Sequence, residues 1–425
     1  MRYRTLRLAI VCLSTAACTV TQEGEGPASY YQPTGWLKVK DTLKADDFET
    51  YQSDITSRVE NHRFIIDTDN AETEITLASP AEFSPNGPSC APGKAHGIVI
   101  LVHGLSDTAF SMRDLAESLA THCYVSRTLL LPGHGTVPGD LLSVTHNDWL
   151  STVRVAAEQA STEHDNVVLI GFSLGAVLGL SLALEASTPV DALVSISPAF
   201  YLSAWRFARW APLAHGLYPW IDRELPNDRF RYEAIPTRGV AEIVRAIRHM
   251  RKRVSSPEDA VSTPWMLVQS MDDAVTRPAQ NIDFFLTQAA NENSRALVFR
   301  SVVSPPIDTD GARVSFLSST DEATQVLGLT HVAVHISPQN LHYGIEGDFR
   351  NCGSQGGRKA SEAARCEKAE NGEFDYGLWN QPEDSDNPER RAQARSAFNP
   401  RYAETVDAIV EFLNLSLTPT VRSSN

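Results

Sequence analysis

Apolar positions along this chain follow two alternating patterns from residue 97 onward. Residues 97–102 (GIVILV) form a continuous apolar run, as a strand buried on both faces requires. Residues 110–122 instead space Met112, Leu115, Ala116 and Leu119 as one face of a helix. The alternation repeats with a strand over 124–131, ended by Pro132-Gly133. It continues with a helix over 147–164 that sets Trp149, Leu150, Val153 and Ala157 on one face. A strand at 167–170, a helix at 174–186 and a strand at 192–196 follow. Strand alternating with helix predicts an α/β chain, a mostly parallel sheet with helices on both faces. Upstream, 62–78 reads as a strand pair around 64–66 and 73–77, because Ile75 and Leu77 alternate with polar residues.

The alternation stops between 200 and 262. Val240, Ile243, Val244, Ile247 and Val254 have helical spacing there, and the strand pattern resumes at 265–269 and 296–299. The segment reads as a helical cap inserted between two strands, with the core split into 41–199 and 263–425. Residues 304–324 are polar, 326–329 is a short apolar run, and 344–400 reads as a polar surface excursion whose role stays open. A helix over 402–415, with Val406, Ile409, Val410 and Leu413 inward, closes the chain.

Charge separates the cap from the body. The 425 residues carry 37 basic and 52 acidic side chains, a balance of −15, which argues against a nucleic-acid partner. From Arg206 to Arg253, however, eleven basic side chains face five acidic ones, and nine aromatics lie between Phe200 and Tyr232. Such a cap suits lipid-like or anionic esters, or an anionic membrane surface. Equally, its aromatics could form the cap's own small core.

The start of the chain belongs to another class of segment. Arg2, Arg4 and Arg7 precede a 13-residue uncharged run, Leu8 to Val20. A bilayer span needs ~20 apolar residues, so the run reads as a secretory signal over 1–17. Small residues before Cys18 resemble the bacterial lipoprotein cleavage box, with Thr15 where that box prefers Leu. The resemblance implies a lipidated Cys18 and a cell-envelope protein anchored at the outer membrane and facing the periplasm, and residues 19–35, polar and rich in Gly and Pro, read as a flexible tether within an 18–40 anchor segment. Loss of 1–17 removes three arginines and no acid, leaving 34 basic against 52 acidic side chains, or −18. Cys90, Cys123, Cys352 and Cys366 then remain for disulfides in an oxidising compartment, and Cys90–Cys123 with Cys352–Cys366 is the expected pairing.

The chemistry centres on Gly171-Phe172-Ser173-Leu174-Gly175, which follows a buried strand and opens a helix. A nucleophilic serine on a strained strand-to-helix turn needs small neighbours, and the following helix aims its N–H groups at developing negative charge. An acid should follow the strand at 265–269, where Asp272 and Asp273 compete. The base should follow the last strand. His331 directly after 326–329 is preferred over His335 and His342. His103 and His134 read as loop-ordering residues.

With His103-Gly104, LPGHG at 131–135, GFSLG at 171–175, Asp273 and His331 in this order, the chain resembles an α/β-hydrolase of the monoglyceride lipase and bacterial carboxylesterase group. The resemblance favours Asp273 over Asp272, since such hydrolases usually place the acid two residues before a valine. The other aspartate is then a solvated loop residue. It also implies an oxyanion hole made by the backbone N–H groups of Leu105 and Leu174. The implied activity is Ser-His-Asp hydrolysis of carboxylic esters, with no metal or organic cofactor. Thioester or peptide hydrolysis by the same residues is the alternative, and a non-catalytic tethered binding lipoprotein is a third reading.

Overall fold

A computed structural model describes residues 27–35, 47–185, 187–254, 260–301, 313–352, 360–370, 373–377 and 391–417, with 304 and 307. The signal, Cys18 and the outer parts of the 18–40 tether lie outside the described residues. In chain order the strands are β1 (Ala81–Phe83), β2 (Ile98–Val102), β3 (Val125–Thr128), β4 (Val167–Phe172), β5 (Ala192–Ile196), β6 (Trp220–Asp222), β7 (Ile235–Pro236), β8 (Trp265–Ser270), β9 (Arg295–Arg300), β10 (Val314–Ser318), β11 (Phe374–Gly377) and β12 (Ala392–Arg395). Eight of them form one sheet in the order β1-β3-β2-β4-β5-β8-β9-β10, with only β1 antiparallel to its neighbour.

Helices α1 (Phe48–His62), α2 (Ala71–Ala78), α3 (Arg113–Thr121), α4 (His146–Glu163) and α5 (Leu174–Ala183) precede the cap. The cap holds α6 (Trp205–Ala208), α7 (Ala211–Ala214) and α8 (Thr237–Arg253), and α9 (Pro278–Gln288), α10 (Ala360–Lys368) and α11 (Tyr402–Ser416) follow. The continuous apolar runs of β2, β4, β5 and β8 are buried throughout, as strands covered on both faces must be. One apolar layer packs α4, α5 and α8 on the sheet, and a second packs α3 and α11 on its other face. Helix α4 starts where it does because Thr145 and Asp148 cap each other's backbone N–H groups. The order β3-β2-β4 reverses the direction of strand addition between β2 and β4, and that reversal opens a crevice at their C-terminal ends.

Several elements differ from the sequence expectation. The region 62–78 is not a strand pair. Chain 71–78 is α2, because Glu74 is buried at its centre and bonded to Arg63, Ile66 and Asp67. A period-2 apolar pattern of two residues cannot outweigh a buried ion pair. Strand β10 arises from the stretch read as a polar insert. It is an edge strand with mostly exposed side chains, so it needs few apolar positions. The short run at 326–329 contributes only isolated bridges at Val326. The cap is not wholly helical, since β6 and β7 pair within it. The excursion 344–400 carries α10 and the parallel pair β11–β12.

Both expected disulfides are present, Cys90–Cys123 and Cys352–Cys366. The tether is not free over its described part. Tyr30 and Tyr31 are buried against Val137, Ala234, Phe64 and Trp220. Thr34 donates from its backbone N–H to Asp140 at 2.7 Å. This strap sits between the core and the cap hairpin.

Arg63 and Glu74 form a 2.8 Å pair with both side chains almost fully buried. Arg63→Met leaves the carboxylate without its cation and should cost ~3–5 kcal/mol in urea unfolding. Arg63→Met/Glu74→Leu should recover most of that loss. A single variant within 1 kcal/mol of wild type would contradict this account of α2.

Candidate active site

The turn from β4 into α5 is as tight as a serine permits. Ser173 has φ +52° and ψ −107°, outside the regions that a non-glycine residue favours. Its amide donates to the Ile196 carbonyl at 3.0 Å, which ties the strained residue to β5. The flanking glycines are sterically required. A Cβ on Gly175 would lie 2.1 Å from the Val102 carbonyl oxygen, and one on Gly171 would lie 2.3 Å from the Gly175 backbone. A Cβ on Gly104 would stand 3.3 Å from the Ser173 Cβ, so the loop after β2 passes directly beside the serine.

Three residues expected from the sequence meet here. Ser173 Oγ lies 3.0 Å from His331 Nε2, and His331 Nδ1 lies 2.7 Å from Asp273 Oδ2. In the Nδ1–H tautomer the imidazole donates to Asp273 and accepts the serine proton. Asp273 sits on the turn after β8, where its Oδ1 accepts the Val275 and Thr276 backbone N–H groups at 2.8 and 3.0 Å. Burial alone would raise the Asp273 carboxyl. The His331 imidazole and the Thr276 donors instead hold it below the usual carboxylate range. Thr276 Oγ1 also donates to Asp273 Oδ2 at 2.8 Å. Sequence reasoning missed Thr276, although an Asp followed three residues later by Thr is a turn-forming pair.

Asp272 is not the solvated residue expected of the unused aspartate. It is buried and accepts the hydroxyls of Ser301, Ser304 and Ser319, at 2.9, 3.1 and 2.5 Å. These hydroxyls beside the ends of β9 and β10, and not His331, take up its carboxylate.

The other histidines have separate duties. His335 is fully buried one turn after His331. Its ring lies 4.3 Å from that of Phe172 and makes no hydrogen bond. Burial holds it well below its usual pKa, so it is neutral packing. His342 lies between Asp228 and Asp348, with Arg229 beside it. Burial alone would lower its pKa, but the two carboxylates raise it above the usual value. His134 Nε2 accepts the Ser106 N–H at 3.2 Å, while its Nδ1 faces the Leu131 and Pro132 carbonyls. His103 Nε2 accepts the Leu131 N–H at 3.0 Å, and burial lowers its pKa to about 4. Both rings therefore brace the loop 103–106 as neutral groups. Neither the Leu105 nor the Leu174 N–H donates to another group among the described residues. Two such amides can donate hydrogen bonds to an oxyanion that develops beside Ser173.

The excursion and the cap complete the surround. Thr330, immediately before His331, donates from its N–H to Ser396 Oγ at 2.9 Å and from Oγ1 to the Ser396 carbonyl at 2.7 Å. Asn399 binds the Val334 carbonyl and donates its backbone N–H to Ile336. The returning end of the excursion thus holds the His331 loop. Helix α8 crosses the site where a Gly239 Cβ would lie 3.5 Å from Leu105. Its buried Glu242 bonds His146 at the start of α4 and pairs with Arg238 and Arg245. Among the described residues no cluster of His, Cys, Asp and Glu is suited to a metal ion.

Residues 93–300 match the family model described as "Serine aminopeptidase, S33". The chain is 28% identical over 186 residues to a thermostable monoacylglycerol lipase of Bacillus sp. (strain H-257), covering 42% of this chain and 72% of that protein. It is 24% identical over 182 residues to a carboxylesterase of Bacillus subtilis (strain 168), covering 41% and 71%. Its fold aligns with a soluble variant of the monoglyceride lipase of Saccharomyces cerevisiae at a TM-score of 0.45 and 14% identity, over 52% of this chain and 81% of that one.

Two outcomes follow from this geometry. Asp273→Asn should cut kcat by about ten-thousand-fold by imposing the wrong imidazole tautomer. Asp272→Asn should lower stability while keeping kcat within about tenfold, because among the described residues its carboxylate accepts hydrogen bonds from serines and not from His331. The reverse ranking would reassign the acid. For His342, the raised folded pKa means its stabilisation is fully present below its unfolded value of ~6.5 and is lost as pH rises through the folded value. The stability difference between wild type and His342→Gln should therefore shrink from pH 6 to pH 9 in urea unfolding. A constant difference would contradict the two-carboxylate clamp.

Proposed function

We propose that the chain, similar to a monoacylglycerol lipase and a carboxylesterase over its hydrolase core, is an α/β-hydrolase of that group that cleaves carboxylic esters through an acyl-enzyme on Ser173. The observation that carries this reading is the hydrogen-bonded chain Ser173–His331–Asp273 at the mouth of the β2–β4 crevice. His331 takes the Ser173 proton as Oγ attacks the ester carbonyl. Asp273 keeps the imidazole in the right tautomer and stabilises the imidazolium. The Leu105 and Leu174 N–H groups hold the oxyanion, each contributing ~3 kcal/mol to the barrier reduction. His331 then protonates the leaving alcohol, and water attacking the acyl-enzyme repeats the sequence in reverse.

The place of action is the cell envelope, with the mature chain anchored through a lipidated Cys18 at the outer membrane and facing the periplasm. The three arginines and short apolar run before small residues and Cys18 support this, as do two disulfides. A second reading is peptide hydrolysis from an N-terminus, which the description of the matched family model favours.

A panel of p-nitrophenyl esters of increasing acyl length and amino-acid p-nitroanilides separates these readings. Wild type should turn over the esters, and Ser173→Ala or His331→Ala should each lower kcat by about ten-thousand-fold or more. Turnover confined to the anilides would establish the peptidase. Ester turnover surviving Ser173→Ala would overturn the mechanism.

A further inference from the structure

The cap presents a surface that ester hydrolysis does not require. Phe207, Trp210, Leu213, Leu217, Tyr218 and Ile221 stand in solvent with exposures between 55% and 81%. Single exposed apolar residues are ordinary, but six within fifteen positions are a patch that needs a partner. The inward sides of this segment are already occupied, by Ala211, which is buried, and by Trp205, which packs on the main core.

The charges around the patch have one sign. No acidic residue occurs between Phe200 and Ile221. Arg206, Arg209 and Arg248 are exposed, and Arg209 lies 5.1 Å over the Trp210 ring. Arg248 donates to the Arg209 carbonyl at 3.1 Å. Neighbouring Arg238 and Arg245 pair with Glu242, and Arg253 pairs with Glu185. Arg206, Arg209 and Arg248 face no carboxylate among the described residues. A second copy of the chain docked about a two-fold axis would set these arginines against their own equivalents, which disfavours self-association. An anionic lipid surface complements them, and Trp and Tyr beside Arg are the side chains that settle at a headgroup boundary.

The strap ties this face to the N-terminal segment. The Tyr31 ring lies 5.4 Å from that of Trp220, its hydroxyl donates to the Glu224 carbonyl at 3.0 Å, and Arg223 covers the ring at 4.2 Å. Trp220 and Ile221 are on the same strand of the cap hairpin. Tyr31 is therefore held beside Trp220, the neighbour of Ile221. Thirteen positions along the chain separate Tyr31 from Cys18, a length that spans at most ~47 Å.

We propose that the face formed by residues 205–221 docks on an anionic phospholipid bilayer. Its apolar side chains enter the headgroup boundary and its arginines meet the phosphates. The strap turns this face toward the membrane that holds Cys18. That last clause rests on the lipidation proposed above; the docking itself does not.

The test uses the chain from residue 18 onward carrying Cys18→Ser, so that no acyl chain contributes. Flotation with vesicles of phosphatidylglycerol and phosphatidylcholine should recover about tenfold more protein than vesicles of phosphatidylcholine alone, and added salt should release it. Leu213→Glu/Leu217→Glu should lower recovery about tenfold while p-nitrophenyl acetate hydrolysis stays within twofold. Arg206→Gln/Arg209→Gln is the second variant and should weaken recovery on anionic vesicles only. Equal recovery on both vesicle types would overturn the proposal. So would recovery unchanged in both variants, or self-association abolished by Leu213→Glu/Leu217→Glu in a chain that binds no vesicles. Docking without any ester turnover would leave this inference standing and remove the hydrolase mechanism instead.

Discussion

Ser173 and the two amides beside it take their places from the close approach of β2, β4 and α5. The Gly175 backbone sits so near the end of β2 that a Cβ there would lie 2.1 Å from the Val102 oxygen. A side chain at that point would push α5 away from β2. The Leu174 amide, at the start of α5, and the Leu105 amide, just past β2, would then separate. The strained φ of Ser173 belongs to the same constraint, because it stands the hydroxyl above the sheet edge where His331 meets it.

Around that point the chain spends its polar groups on fixing loops. Neutral His103 and His134 hold the loop after β2 from behind. Val275 and Thr276 amides hold Asp273, and Ser396 holds the residue before His331. Asp272, adjacent to the acid, anchors the start of the β9–β10 connection through Ser301 and Ser304 and the end of β10 through Ser319. The two excursions from the core are therefore unequal in task. The stretch after His331 returns to brace the site, while the cap crosses over it on α8 and turns an apolar, cationic face outward.

Much of this was legible in the sequence. Buried parallel strands are continuous apolar runs, so β2, β4, β5 and β8 stood out, and the elbow followed from its strand-to-helix context. Asp273 needed the family resemblance as well, since Asp272 was equally available, whereas His331 was preferred over His335 and His342 because it directly follows the run 326–329. What escaped has a common cause. Strand β10 is an exposed edge with few apolar positions, and α2 is governed by a buried Arg63–Glu74 pair rather than by periodicity. The Thr330–Ser396 contact joins polar residues 66 positions apart, a separation that no local pattern reports.

The central claim is that Ser173 is the nucleophile. Peptide mapping by mass spectrometry after treatment with a fluorophosphonate tests it most directly. The account predicts one adduct per chain, on the peptide containing Ser173, and none when the protein is unfolded before treatment. An adduct on another residue, or no adduct on the folded protein, would contradict it.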